Sequence, residues 1–120
     1  MKVPLIALAG ALGALSRYAV GSWVDTRTFP WATLGINVVG SFLLGLVLHL
    51  SVLREWPATT TAPIAIGFLG AFTTFSTFSY EVQDLLRTDR TGATATYVGL
   101  SVVGGVLAAV AGYATARSLA

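Results

Sequence analysis

No cysteine occurs in the 120 residues, and there is a single histidine, His49. The first absence excludes disulfides and thiolate metal sites. With one histidine close to a predicted helix end, and no carboxylate pair buried beside a nucleophile, enzyme chemistry has nothing to build on. Charge is equally scarce: 10% of the residues are Asp, Glu, Lys or Arg, against about 25% in ordinary soluble domains. A water-soluble core of this length needs more charged surface than that, so the chain reads as a membrane protein. The formal charge of +2 is too small and too scattered to suggest a nucleic-acid partner, and none is expected. No stretch is long and polar enough to form a second domain, so residues 1–120 are read as one transmembrane domain.

What the sequence has instead is apolar length. Four hydrophobic stretches, 3–24, 32–53, 62–86 and 93–119, each approach the roughly 20 residues that cross a bilayer core. Short connections carry the turn signals: DTRTFPW (25–31), REWPATT (54–60) and RTDRTG (87–92). Trp23, Trp31 and Trp56 all fall at predicted segment ends, where an indole keeps its ring apolar and its N–H wet. Thr60 or Thr61 with Pro63 predicts a capped start for the third segment. Met1-Lys2, an apolar run and AGALGA (9–14) also fit a secretory signal. Apolar character continues through YAV (18–20), past Arg17, and makes this segment long enough to span.

Four crossings place Lys2, Arg54 and Arg117 on one side of the membrane and Arg27, Arg87 and Arg90 on the other, and counting Arg17 toward its nearer end makes the score four to three. Orientation is set by an excess of Lys and Arg on one face, and near-equality gives insertion little to choose by. The expectation is insertion both ways and assembly as an antiparallel, dual-topology homodimer. Ser41 and Gly45 on one segment, and Ser101, Gly105, Ala109 and Ala116 on another, form small-residue stripes. These are read as helix-packing surfaces.

Polar groups at membrane depth are expensive and carry the functional signal. Asn37 sits in TLGINVVGSFLLG (33–45), with two amide donors to offer. Arg17, in the last third of the first segment, either snorkels to the interface or sets a positive field in a vestibule. Glu81 and Asp84 either face an aqueous mouth or pair with Arg87. The stretch GFLGAFTTFSTFS (67–79) is the least like a plain membrane helix. Gly67 and Gly70 loosen it, and Thr73, Thr74, Ser76, Thr77 and Ser79 can satisfy backbone groups released by a break. A break at mid-membrane frees carbonyls that suit a cation and N–H groups that suit an anion. Phe75 and Phe78 share a helical face beyond it, and their ring edges, the positive rim of the quadrupole, can meet an anion. Tyr97 and Ser101, four residues apart, add two hydroxyls on one face.

These motifs, GALSRY (13–18), TLGINVVGSFLLG (33–45) and GFLGAFTTFSTFS (67–79), together resemble the Fluc (CrcB) family of bacterial fluoride channels over the whole chain. The resemblance implies an all-α protein of four transmembrane helices in the bacterial plasma membrane, the third broken at mid-membrane. It implies an antiparallel homodimer with two pores, passing fluoride passively out of the cytoplasm. By the same resemblance Asn37 hydrogen-bonds the ion and Phe75 and Phe78 line the constriction. Thr74, Ser76 or Thr77, and the hydroxyls of Tyr97 and Ser101, lie along the path, and Arg17 matches the family's arginine. A structural sodium ion is expected at the dimer centre, on the backbone carbonyls of Gly70 and Thr73. The chain departs from the family at Ala71, where a second glycine is frequent, and at Gly105, which has no hydroxyl to extend the line of Tyr97 and Ser101. Small multidrug exporters share the length and the four helices, but couple transport to a carboxylate in the first helix, and none is present here.

Overall fold

In the computed structural model, which describes every residue from Met1 to Ala120, the chain is entirely helical. Helices α1 (Lys2–Trp23) and α2 (Trp31–Leu53) come first. The third apolar region is composite. It consists of α3 (Ala58–Ala62), a π-helical stretch (Pro63–Leu69), α4 (Gly70–Phe72), two extended residues, and α5 (Phe75–Arg87). Helix α6 (Thr91–Leu119) closes the chain. By length and composition, 2–23, 31–53, 58–87 and 91–119 can each cross a membrane. At 1.5 Å per residue, even α1 is about 33 Å long, enough for a hydrocarbon core of about 30 Å.

The start of the third region differs from expectation. Helix α3 begins at Ala58, before the threonines, and its N-cap is Pro57. Thr61 therefore caps nothing, and its hydroxyl is buried without a partner. Pro63 opens the π-helical stretch instead: a proline has no N–H for the i→i−4 ladder, and the wider turn carries the chain past it. The stretch ends where the Gly70 N–H donates to the carbonyls of Ala65 and Gly67.

Two inter-element hydrogen bonds mark the ends of the bundle. Arg54 donates to the Leu119 carbonyl at 2.9 Å, so the α2–α3 turn and the C-terminus share one end. Arg90 donates to the Thr28 carbonyl, so the α1–α2 and α5–α6 connections share the other. In the exposed α1–α2 loop, hydrogen bonds from the Arg27 guanidinium and backbone N–H hold the Asp25 carboxyl below its usual range.

Helices pack as two closely meshed pairs. Between α2 and α6, a Cβ placed on Gly112 would lie 2.1 Å from the Phe42 carbonyl oxygen, and one on Gly45 2.3 Å from that of Ala109. Such contacts require backbones with no side chain between them. His49, near the end of α2, stacks on Tyr113 at 3.8 Å. Helix α1 packs on the π-helical stretch in the same way: a Cβ on Gly13 would meet the Phe68 carbonyl oxygen at 2.2 Å. Gly67, expected to loosen its helix, also lies against α1, with the Ile6 carbonyl oxygen 2.7 Å from its Cβ position. Its small size serves packing.

Only 17 of 120 residues are buried, so most apolar side chains face outward, as they must in a chain immersed in acyl chains. The inner cluster is Leu34, Leu85 and Tyr97, with Phe29, Val38, Phe78 and Val82 against it. It anchors α5 to α2 and α6.

Candidate functional site

The third region loses its helix at Thr73 (φ −82°, ψ 155°) and Thr74 (φ −151°, ψ 120°). Backbone groups released there need partners, and three elements supply them. From α2, the Asn37 side chain takes both polar groups of Thr74: Oδ1 accepts from the Thr74 N–H at 2.9 Å, and Nδ2 donates to the Thr74 carbonyl at 3.0 Å. From α1, Arg17 Nε donates to the Ala71 carbonyl at 3.1 Å, a cation at the C-terminal end of a helix. Within the region itself, Thr73 Oγ1 and N–H both donate to the Leu69 carbonyl, at 2.9 and 3.1 Å. Thr74 is the N-cap of α5, its hydroxyl accepting from the Thr77 N–H at 3.2 Å. Gly40 permits the approach of α2, since a Cβ there would lie 2.2 Å from Thr73 Cγ2.

The carbonyls of Gly70, Phe72 and Thr73 at the interruption lose the partners a continuous helix would give them. That of Thr73 accepts no hydrogen bond, and that of Gly70 lacks the Thr74 N–H a continuous helix would give it, because that N–H goes to Asn37. Unpartnered carbonyl oxygens are suitable ligands for a hard cation. No cluster of three His, Cys, Asp or Glu side chains exists elsewhere in the chain.

Two cavities flank the clamp. The first, about 290 Å³, is lined by Asn37, Thr73, Thr74, Phe75, Phe78 and Ser101, together with Gly40, Ser41 and Leu44 of α2 and Val102 of α6. The Phe75 and Phe78 rings lie 5.7 Å apart with their planes tilted by 46°. Phe78 leans on Tyr97 at 5.1 Å, whereas Phe75 is 75% exposed. Ser101 Oγ is buried without a hydrogen-bond partner. The second cavity, about 370 Å³, is lined by Arg17, Thr33, Thr74, Thr77 and Glu81 among others. Thr74 belongs to both, so the Asn37–Thr74 clamp stands between them.

The structure thus gathers Asn37, Thr74, Phe75, Phe78 and Ser101 around one space, and Arg17 and Thr77 around the other. Ser76 is exposed, its hydroxyl 3.4 Å from Thr74 Oγ1. Tyr97 lines neither cavity. It is 0% exposed, and its hydroxyl donates to Glu81 Oε1 at 2.8 Å. Asp84, not Glu81, is the partner of Arg87. Among the lining residues to which the sequence assigned no functional role, Ser41 is the one with a hydroxyl. It lay in a small-residue stripe, and its position one turn from Asn37 was the signal available.

Four apolar spans, one of them interrupted by a polar clamp with cavities on either side, define a multi-pass membrane protein of the transport class. The chain belongs to the CrcB family: the family description "CrcB-like protein, Camphor Resistance (CrcB)" matches residues 4–113. Among similar proteins, one from Thermus thermophilus is 45% identical over 112 residues, covering 91% of this chain and 88% of its own. One from Deinococcus radiodurans is 47% identical over 119 residues, covering 93% and 94%. One from Acidobacterium capsulatum is 43% identical over 116 residues, covering 90% of each. All three carry the name "Fluoride-specific ion channel FluC", the name of a channel and not of an enzyme.

Proposed function

We propose that this protein is a fluoride-selective channel that lets the ion leave the cytoplasm passively, through two pores of an antiparallel homodimer in the bacterial inner membrane. The names carried by its relatives support fluoride as the permeant ion. The observation that carries the reading is the Asn37–Thr74 clamp, which fixes an interruption, taken to lie at mid-membrane, with the Phe75 and Phe78 rings and an unpartnered Ser101 hydroxyl around one cavity.

Fluoride is small and holds its water tightly, so a pore must replace hydration with close donors while keeping each site weak enough to leave. Asn37 has one Nδ2–H spent on Thr74 and a second to offer. Ser101 Oγ has no competing partner. The N-terminus of α5 adds its partial positive charge, and the edges of Phe75 and Phe78 present the positive rim of the ring quadrupole. Arg17 is held at the interruption through Nε, leaving its terminal N–H groups and its charge to attract anions into the second cavity. Thr77 and Ser76 add hydroxyls beside Thr74. Tyr97 acts at one remove, holding Glu81 by its hydroxyl. Larger halides are refused by the narrowness between the two rings.

The carbonyls of Gly70 and Thr73 would hold a structural sodium ion, which when bound supplies a fixed positive charge at the interruption. The donor set fits, being two backbone oxygens with at least one free of any hydrogen bond. Nothing favours a proton-coupled exporter: α1 contains no Asp or Glu on which to carry the coupling proton.

The test is efflux, read with a fluoride-selective or a chloride-sensitive electrode, from liposomes loaded with potassium fluoride or potassium chloride and reconstituted with purified protein. Fluoride is expected to leave on addition of a potassium ionophore while chloride is retained. Equal release of both, or of neither, would reject the reading.

A further inference from the structure

The site described above leaves one hydroxyl in its first cavity without a task. Ser41 stands one helical turn beyond Asn37 on α2, where residues four apart lie on one face, and both line that cavity. No hydrogen bond ties the Ser41 hydroxyl to its own helix. Ser79 and Thr115, by contrast, donate back to the carbonyls of Phe75 and Ala111 at 3.0 and 2.8 Å. Helical serines can spend their hydroxyls this way, and one beside a cavity that does not is available to a ligand.

Across from it stands α6. Its hydroxyl Ser101 faces the same cavity and is buried without a partner. One turn further on, Gly105 has no side chain at all. A Cβ built on Gly105 meets one atom within 4 Å, the Ser41 Oγ, at 3.6 Å. The hydroxyl of Ser41 therefore occupies the neighbourhood into which a side chain at position 105 would project.

We propose that Ser41 supplies from α2 the hydroxyl donor that α6 lacks at Gly105, and that fluoride passing Asn37 and Ser101 is next hydrogen-bonded by Ser41. The inference rests on the channel reading above and adds a residue to it. Two hydroxyls from facing helices, Ser101 Oγ buried and Ser41 Oγ at the cavity wall, make no hydrogen bond within the chain and are free to donate to a guest. Buried polar atoms without partners are rare enough to need such an account. A hydroxyl donating to an anion makes a charge-assisted bond, about twice as strong as a neutral one. As a mere packing residue Ser41 would be served equally well by alanine, and that is what separates the two roles.

The experiment compares fluoride-electrode efflux from liposomes carrying wild-type protein, Ser41→Ala, and the double variant Ser41→Ala/Gly105→Ser. Ser41→Ala is expected to slow fluoride at least about tenfold, the factor that one lost charge-assisted hydrogen bond gives. The double variant, with its hydroxyl returned from α6, is expected to recover to within about threefold of wild type. Its new Cβ stands at ordinary contact distance from position 41. Ser41→Cys keeps the size and replaces the hydroxyl with a weak S–H donor, and is expected to be slow as well. Wild-type flux from Ser41→Ala or from Ser41→Cys, or a double variant no faster than Ser41→Ala, overturns the proposal while leaving the channel reading standing. A wild-type protein that passes no fluoride overturns both.

Discussion

Asn37 and Thr74 exchange two hydrogen bonds of opposite sense, at 2.9 and 3.0 Å, one to each polar group of a single peptide-chain residue. A side-chain amide here does what a neighbouring strand does for an extended residue. It gives the N–H an acceptor and the carbonyl a donor, so that two residues can leave the helix without stranding polar atoms. One side chain thereby holds the interruption open and contributes to the cavity beside it.

Asn37→Ala removes both bonds and leaves an N–H and a carbonyl of Thr74 partly buried and unpaired. A loss of about 2–4 kcal/mol in stability is expected, with fluoride flux abolished. Asn37→Asp keeps the acceptor for the Thr74 N–H but replaces the donor with negative charge. It is expected to fold better than the alanine variant and still not conduct. Thermal unfolding in detergent beside electrode efflux reads both, and wild-type stability in Asn37→Ala would show that the clamp is incidental.

The two rings separate by burial. Phe75 is 75% exposed, whereas Phe78 packs on Tyr97 and the inner cluster. Phe75→Ile is therefore expected to leave stability within about 0.5 kcal/mol of wild type while impairing fluoride flux. Phe78→Ile is expected to impair flux and also cost about 1 kcal/mol or more through lost packing. Undiminished fluoride flux in both variants would remove the ring edges from the mechanism.

The apolar spans were legible to within a few residues because length and hydropathy determine them, and the threonine-rich stretch was legible as a place where the helix could end. The π-helical turn after Pro63 was not, since proline permits several local remedies and the sequence does not choose among them. Nor was the partner of Tyr97. Its spacing from Ser101 put two hydroxyls on one helix face, but the orientation of α6 against α5 and α2 turned the tyrosine inward to Glu81 and left Ser101 at the cavity. Gly67 and Gly112 illustrate the same limit. A glycine that frees the backbone and one that admits a neighbouring helix look alike until the neighbour is placed.

At Gly112, any side chain collides with α2 backbone, the Phe42 carbonyl oxygen at 2.1 Å and the Leu46 nitrogen at 2.8 Å. Backbone cannot rotate away as a side chain can, so Gly112→Val is expected to cost about 3 kcal/mol or more and to lower the yield of folded protein. Gly92→Ala is the control. Nothing lies within 4 Å of its Cβ position, and alanine in a helix is favoured over glycine by about 1 kcal/mol, so its thermal unfolding temperature is expected to be unchanged or raised. Equal behaviour of the two variants would mean that α2 and α6 are not in backbone contact.

The cysteine-free sequence makes the orientation question directly measurable. One end of the bundle carries Arg54 beside the C-terminal Leu119 carbonyl, the other Arg90 beside the Thr28 carbonyl. The basic residues divide almost evenly between them, with Lys2, Arg54 and Arg117 against Arg27, Arg87 and Arg90, and with Arg17 on the side of the second group. Because insertion reads the difference and not the total, both orientations are expected in one membrane. A single thiol introduced as Thr26→Cys at one end, or as Thr59→Cys at the other, should each be partly labelled by an impermeant maleimide added outside intact cells. Adding lysines at one end, as Thr26→Lys with Gly92→Lys, should then drive that end inward and leave only the Thr59→Cys thiol accessible from outside. Complete labelling at one position and none at the other, before any lysine is added, would establish a single orientation and with it the loss of the antiparallel dimer.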